Sequence, residues 1–259
     1  MENKPLILIT NDDGITAPGM YALVHSLKRL GEIVVVAPDG PQSGMGHAVT
    51  ISKPLRLSET TIFGAIKSYQ CSGTPADCVK IAVDKVLHRK PDFVFSGINH
   101  GSNSAINVIY SGTMSAAVEA AIEGIPAAGF SLCDFDYHAD FTLAADIAYL
   151  VARNVIENGL PKGVLLNVNV PKVDKAAFKG IKIGRQALAK WEENFDHRTD
   201  PNGRSYYWLT GKFKNFDAGE DTDEWALANN YASIVPVQFD LTAHNAIAYL
   251  NQWEFKDEN

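Results

Sequence analysis

Residues 6–37 constrain this 259-residue chain more than any other stretch. Leu6-Ile7-Leu8-Ile9-Thr10 reads as a short buried strand that breaks off at Asn11-Asp12-Asp13-Gly14. Apolar residues then recur at 20, 23, 24, 27 and 30, the spacing of an amphipathic helix, and Gly31 stops it. Glu32 to Ala37 (EIVVVA) is a β-branched strand closed by Pro38. A strand, a helix and a second buried strand at this spacing predict a parallel crossover. The fold class is therefore α/β, a Rossmann-like three-layer arrangement around a mostly parallel sheet.

The rest of the chain extends that pattern. Ala48 to Leu57 and Thr61 to Cys71 read as antiparallel additions. A helix follows from Thr74, a plausible N-cap with Pro75 behind it, to about Leu87. Strands are expected at 92–96, 126–131 and 164–170, and helices after Ser111 and over 141–156. Beyond about Gly180 the chain turns polar, charged and aromatic, with strands near 206–209 and 231–240 and a helix from about Ala243 to Trp253. Residues 1–180 are read as the catalytic core. Residues 181–259 are read as a hairpin-and-helix extension that packs on or exchanges with a partner subunit and is not an independent domain.

Composition excludes several partners. The charge is 23 − 30 = −7 with no Lys/Arg cluster, which argues against a nucleic-acid polymer. No apolar run reaches the roughly 18 residues of a membrane span. Met1 to Pro5 runs straight into the first strand, so no secretory signal is expected. Cys71, Cys78 and Cys133 lack metal-type spacing and are expected to be reduced thiols in a cytoplasmic protein.

Chemistry in a parallel α/β sheet gathers beyond the carboxyl ends of the strands. Three such ends here offer oxygen atoms: Asp12 and Asp13, then Ser43 in a Gly-rich loop, then Asn99. Carboxylate, hydroxyl and amide oxygens are hard ligands suited to Mg²⁺, Mn²⁺ or Ca²⁺. Four of them leave an octahedral ion open positions for water and substrate, a catalytic arrangement. Asn103 and Ser111-Gly112-Thr113 offer donors at a helix N-terminus that attracts anions. Each site has a plainer reading: an Asx turn at 11–14, a solvated loop at Ser43, a turn cap at Asn99, ordinary helix capping at 103 and 111–113. His47 and His100 read as loop or packing residues, with His100 also within reach of a substrate.

The motifs ITNDDG (9–14), APDGPQSGMGHAVT (37–50), SGTPADCV (72–79), SGINHGSN (96–103) and YSGTMSAA (110–117) closely resemble those of the SurE family, survival protein E. DPNGRSYYW (200–208), DAGEDTDEWAL (217–227) and YASIVPVQFDLTAH (231–244) extend the resemblance over nearly the whole chain. It implies a metal-dependent phosphatase of nucleoside 5′- and 3′-monophosphates, with short polyphosphate a further substrate in some members. It implies Asp12, Asp13, Ser43 and Asn99 as ligands of one divalent ion per subunit, Mg²⁺ or Mn²⁺, with Ca²⁺ able to replace it in crystals. It also implies Asn103, Ser111, Gly112 and Thr113 as a phosphate cradle, and homodimers or homotetramers formed by C-terminal exchange. The expected reaction is attack of metal-bound water on the monoester, with Asp12 or Asp13 handling a proton. The rival readings are a phosphatase with a covalent aspartyl intermediate, which favours two acids separated by one intervening residue where Asp12 and Asp13 are adjacent, a phosphate-accepting receiver module, which needs about half this length, and a sugar-nucleotide transferase.

Overall fold

The computed structural model describes residues 4–136 and 138–255. β1 (Leu6–Thr10) leads through α1 (Pro18–Leu27) to β2 (Glu32–Pro38), as the opening pattern predicts. β3 (Leu57–Thr60) and β4 (Lys67–Cys71) follow, then α2 (Pro75–Ile81), which runs on into one π-helical turn at Ala82–Val86. β5 (Phe93–His100), α3 (Gly112–Ile122), β6 (Ala127–Leu132), α4 (Thr142–Asn158) and β7 (Val164–Val170) complete the alternation. The remaining elements are β8 (Ile181–Ile183), β9 (Ala189–Thr199), β10 (Ser205–Asn215), α5 (Asp223–Ala228), β11 (Ala232–Gln238) and α6 (His244–Leu250).

Nine strands form the central sheet in the order β3-β4-β2-β1-β5-β6-β7-β11-β8. The run from β4 to β7 is parallel. Alternate residues of a strand face opposite sides, and β1 shows the result. Ile7 and Ile9 join Met20, Leu23, Val24 and Leu27 of α1 and Ile147 and Val151 of α4 on one side. Leu6 and Leu8 join Val79 of α2 and the small residues Ala116, Ala117 and Ala120 of α3 on the other. At ten residues α1 is too short to persist alone. Burying its four large apolar side chains, each about 1.5–3 kcal/mol, is what makes it a helix.

Two sequence expectations are corrected here. The segments 48–57 and 61–71 are not both antiparallel: β4 pairs parallel to β2, β3 alone runs antiparallel to β4, and 48–56 has no regular structure. Nor does the strand at 92–96 give way to a loop, because β5 continues through Gly97 and Ile98 to His100. The sheet also draws on chain beyond residue 180. β11 pairs antiparallel with β7, and β8 pairs with β11. The β9–β10 hairpin forms a sheet of its own.

Candidate active site

β1 is followed in space by β2 on one side and β5 on the other, so the chain changes direction between β1 and β5. Ligands bind at such a switch point, outside the carboxyl ends of the strands. Asn11 Nδ2 donates to the Gly14 carbonyl at 2.9 Å, and Gly14 takes φ +95°, a conformation that favours glycine. The tight turn leaves Asp12 only 3% exposed. Its carbonyl accepts from Gln42 N at 2.7 Å, which brings the loop carrying Ser43 against the end of β1. The far end of that loop is also held. Gly46 N donates to the Tyr110 carbonyl at 3.0 Å, and His47 Nε2 lies 2.9 Å from Glu119 Oε2 on α3.

Asn99 reaches the same place through a bulge. Ser96 pairs with Gly129 but Asn99 with Ser131, so β5 carries one extra residue. Gly97 permits it: φ is +126°, and a β-carbon there would meet the Phe130 carbonyl oxygen at 2.4 Å. Asn99 Nδ2 donates to the Gly101 carbonyl at 2.9 Å, which leaves the amide oxygen as the atom that could hold a cation. Asp13 Oδ2 accepts from His100 N at 3.1 Å, tying the ends of β1 and β5 together, with His100 Nδ1 at 3.6 Å. The His100 ring stands edge-on to Phe141.

Asn103 is held by a buried polar ladder. Its backbone N–H donates to Asn169 Oδ1 at 2.8 Å and its Nδ2 to Ser131 Oγ at 2.8 Å. Asn167 Nδ2 donates to the Asn103 carbonyl at 2.8 Å, and Asn169 Nδ2 to Asn167 Oδ1 at 2.9 Å. Ser111 caps α3, its Oγ accepting from Met114 N at 3.0 Å.

Asp12, Ser43, Asn99, Asn103 and Ser111 line one cleft of about 600 Å³. Gly112 and Thr113 do not line it; they stand behind Asp12, and the Thr113 hydroxyl donates to Asp12 Oδ1. Burial, and then the charge of Asp13, push the Asp12 carboxyl up to about 6 against the hydrogen bonds from Thr113. Among the described residues no Lys or Arg pairs with either acid. No three His, Cys, Asp or Glu side chains converge either, among the described residues. Two adjacent carboxylates with no Lys or Arg partner among the described residues, beside a hydroxyl and an amide, fit a hard divalent ion completed by water.

Residues 7–193 match the sequence model of the family described as survival protein SurE. The chain belongs to the SurE family. Two SurE relatives, each named 5′-nucleotidase SurE, come from Christiangramia forsetii and Cytophaga hutchinsonii. The first is 63% identical over 258 residues, covering 99% of both chains. The second is 60% identical over 258 residues, covering 99% of this chain and 100% of its own. The crystal structure of the SurE protein from Aquifex aeolicus superposes with a TM-score of 0.81 at 39% identity, over 95% of this chain and 100% of that one.

Several residues that build this SurE site went unread in the sequence. Asn167 and Asn169 carried a legible signal, since alternating amides inside the apolar run VLLNVNV have to be satisfied by something buried. Trp191 and Phe213, which reach the cleft from the hairpin, and Glu224 carried none. Nothing local marks them out in a long polar and aromatic tail.

Proposed function

We propose that the protein is a divalent-cation-dependent phosphomonoesterase that hydrolyses nucleoside 5′- and 3′-monophosphates, with short polyphosphate as a further substrate. The observation that carries this reading is the meeting of Asp12, Ser43, Asn99 and Ser111 in one cleft at the switch point of the sheet. The names of the relatives support the nucleotide as substrate. Asp12, Asp13, Ser43 and Asn99 would hold Mg²⁺ or Mn²⁺. When bound, the cation would polarise the phosphoryl oxygens and lower the pKa of water at the site.

The chain's own groups do the rest. Asn103 and Ser111 face the phosphate. The N-terminus of α3 adds its dipole where negative charge gathers in the transition state. The Thr113 hydroxyl braces Asp12 Oδ1, leaving Oδ2 as the atom to receive or pass a proton. A covalent aspartyl route lacks support, since no Lys or Arg among the described residues sits on either acid to aid it. Three free thiols and a nucleotide substrate suit a cytoplasmic enzyme.

The assembly belongs to the same reading. Leu209 and Phe195 on the hairpin, and Ile247, Leu250 and Trp253 in and after α6, are exposed, and α6 buries none of its residues. Apolar faces of that kind mark contact with another chain, here a second copy reached by the C-terminal elements to give a dimer or tetramer. No helix among the described residues is long and apolar enough to cross a membrane.

The decisive test measures phosphate release from 5′-AMP, 3′-AMP and tripolyphosphate with Mg²⁺, Mn²⁺ or EDTA. Turnover of the nucleotides that EDTA abolishes and Mn²⁺ restores is the expected result. Turnover indifferent to chelation would refute the proposal.

A further inference from the structure

At about 600 Å³ the cleft is larger than a cation and a phosphoryl group require. Its second half is walled by Trp191 of β9, Phe213 of β10 and Leu227 of α5, with Glu224 among them. We propose that this half is the nucleoside subsite: Trp191 and Phe213 take the base, and Glu224 with Ser104 takes a ribose hydroxyl. The inference rests on the phosphomonoesterase reading and names what that site selects.

Three observations carry it. First, the rings are held in place. Trp191 Nε1 donates to Asn107 Oδ1 at 2.8 Å, and the indole meets the Phe213 ring edge-on with centroids 5.5 Å apart. Trp191 nevertheless stays 43% exposed, so a fixed aromatic surface remains uncovered beside the cleft. Flat rings of this kind bind bases of any sequence, because every base has a π-face.

Second, Glu224 is in the wrong place for a phosphate. A carboxylate repels a dianion, so this half of the cleft cannot be a second phosphate seat. A carboxylate is an acceptor only, and its natural partners are hydroxyl or amino donors. Glu224 Oε1 already accepts from Ser104 Oγ, and Ser104 Oγ lies 2.6 Å from Ser102 Oγ. That chain of hydroxyls leads along the wall towards Asn103.

Third, one buried carboxylate assembles the wall. Asp223 accepts from Ala105 N at 2.7 Å, from Ala187 N at 2.9 Å and from Glu224 N at 2.9 Å. The 3-10 turn at Ala105–Ile109, the entry to β9 and the start of α5 are thereby joined. A binding surface that is ordered beforehand loses less freedom when its ligand arrives.

The test compares wild type with Trp191→Ala and Glu224→Ala on 5′-AMP and on ribose 5-phosphate, which has the same reacting group and no base. Stacking on one aromatic ring predicts a fall in kcat/KM of about 10- to 100-fold for AMP in Trp191→Ala. Ribose 5-phosphate should change less than about twofold in that variant, in line with the size of its lost contacts. Glu224→Ala should narrow the wild type's preference for AMP over its 2′,3′-dideoxy analogue. Equal losses on both monoesters in Trp191→Ala would show a merely structural wall and overturn the proposal, as would unchanged AMP turnover. Binding of adenosine, which carries no phosphate, gives a readout independent of hydrolysis. It should weaken in Trp191→Ala whatever the chemistry, whereas a wild type that binds adenosine but cleaves neither monoester would sink only the phosphomonoesterase reading. Unchanged adenosine affinity in the variant would overturn the subsite.

Discussion

Gly112 stands so close to Asp12 that a β-carbon built on it would fall 2.6 Å from the Asp12 Cβ. The glycine that opens α3 is thus there for contact with a carboxylate-bearing residue of β1's exit loop, and not for the flexibility of a turn. Gly112→Ala should displace Asp12, costing about 1–3 kcal/mol of stability through overpacking. Phosphatase activity should fall by at least an order of magnitude, since displacements near 1 Å at a reacting centre cost about 100-fold. Thermal unfolding and steady-state kinetics on one preparation check both halves.

The ligand assignment makes a sharper demand on Asp13 and Asn99. Substituting either by Ala should weaken Mn²⁺ binding on the order of 100-fold or more, since even supporting groups around a metal are worth 10- to 100-fold. The circular dichroism spectrum should remain that of the wild type. Calorimetric titration with Mn²⁺ reads the affinity directly, without relying on turnover.

Glu119 is 2% exposed, yet both its oxygens are used: Oε2 faces His47 Nε2 at 2.9 Å and Oε1 accepts from Lys80 Nζ at 2.7 Å. Burial alone would raise its pKa, but the hydrogen bonds from His47 and Lys80 outweigh it and hold the carboxyl below its ordinary 4.5. A carboxyl depressed in the folded state stabilises above its unfolded pKa and loses that contribution as pH falls through the folded one. Glu119→Gln should therefore cost about 1–3 kcal/mol at pH 7. The gap to wild type should close as the pH drops below 4.5. Urea unfolding at a series of pH values tests the sign. A gap that widens in acid would contradict it.

If the C-terminal elements join copies of the chain, charge placed on their apolar face should separate them. Leu250→Glu with Trp253→Glu puts two carboxylates where a partner would bury them. The expected result is a shift to monomer by sedimentation, with the core's unfolding midpoint little changed. An unaltered sedimentation coefficient would place the interface elsewhere.

The sequence carried the fold where one periodicity applied at a time. The run VLLNVNV becomes β7 with the expected bounds, 164–170, because a strand buried on both faces reads as a near-continuous apolar run, broken here only by Asn167 and Asn169. Asn99 shows the limit. In the sequence Gly97 reads as the end of a strand, whereas it is the residue that lets β5 bulge and continue. That distinction depends on the Phe130 carbonyl, a neighbour more than thirty positions away. Thr113 is similar: its sequence place suggests a phosphate donor, and its hydroxyl is used on Asp12, about a hundred residues earlier. Asp12, Asp13, Ser43 and Asn103 sit in short, distinctive loops. The wall at Trp191, Phe213 and Glu224 comes from residues whose roles depend wholly on how the tail folds back.

That fold-back has a bearing on biogenesis. β7 gains its outer neighbour only from β11, which lies more than sixty residues further along the chain, at Ala232–Gln238. While the chain is being made, the β7 edge therefore waits, with its backbone donors and acceptors unmet, until residues 232–238 have left the ribosome. Bare edges of that sort recruit other strands. A premature stop before residue 232 would thus yield aggregates and not a smaller working enzyme.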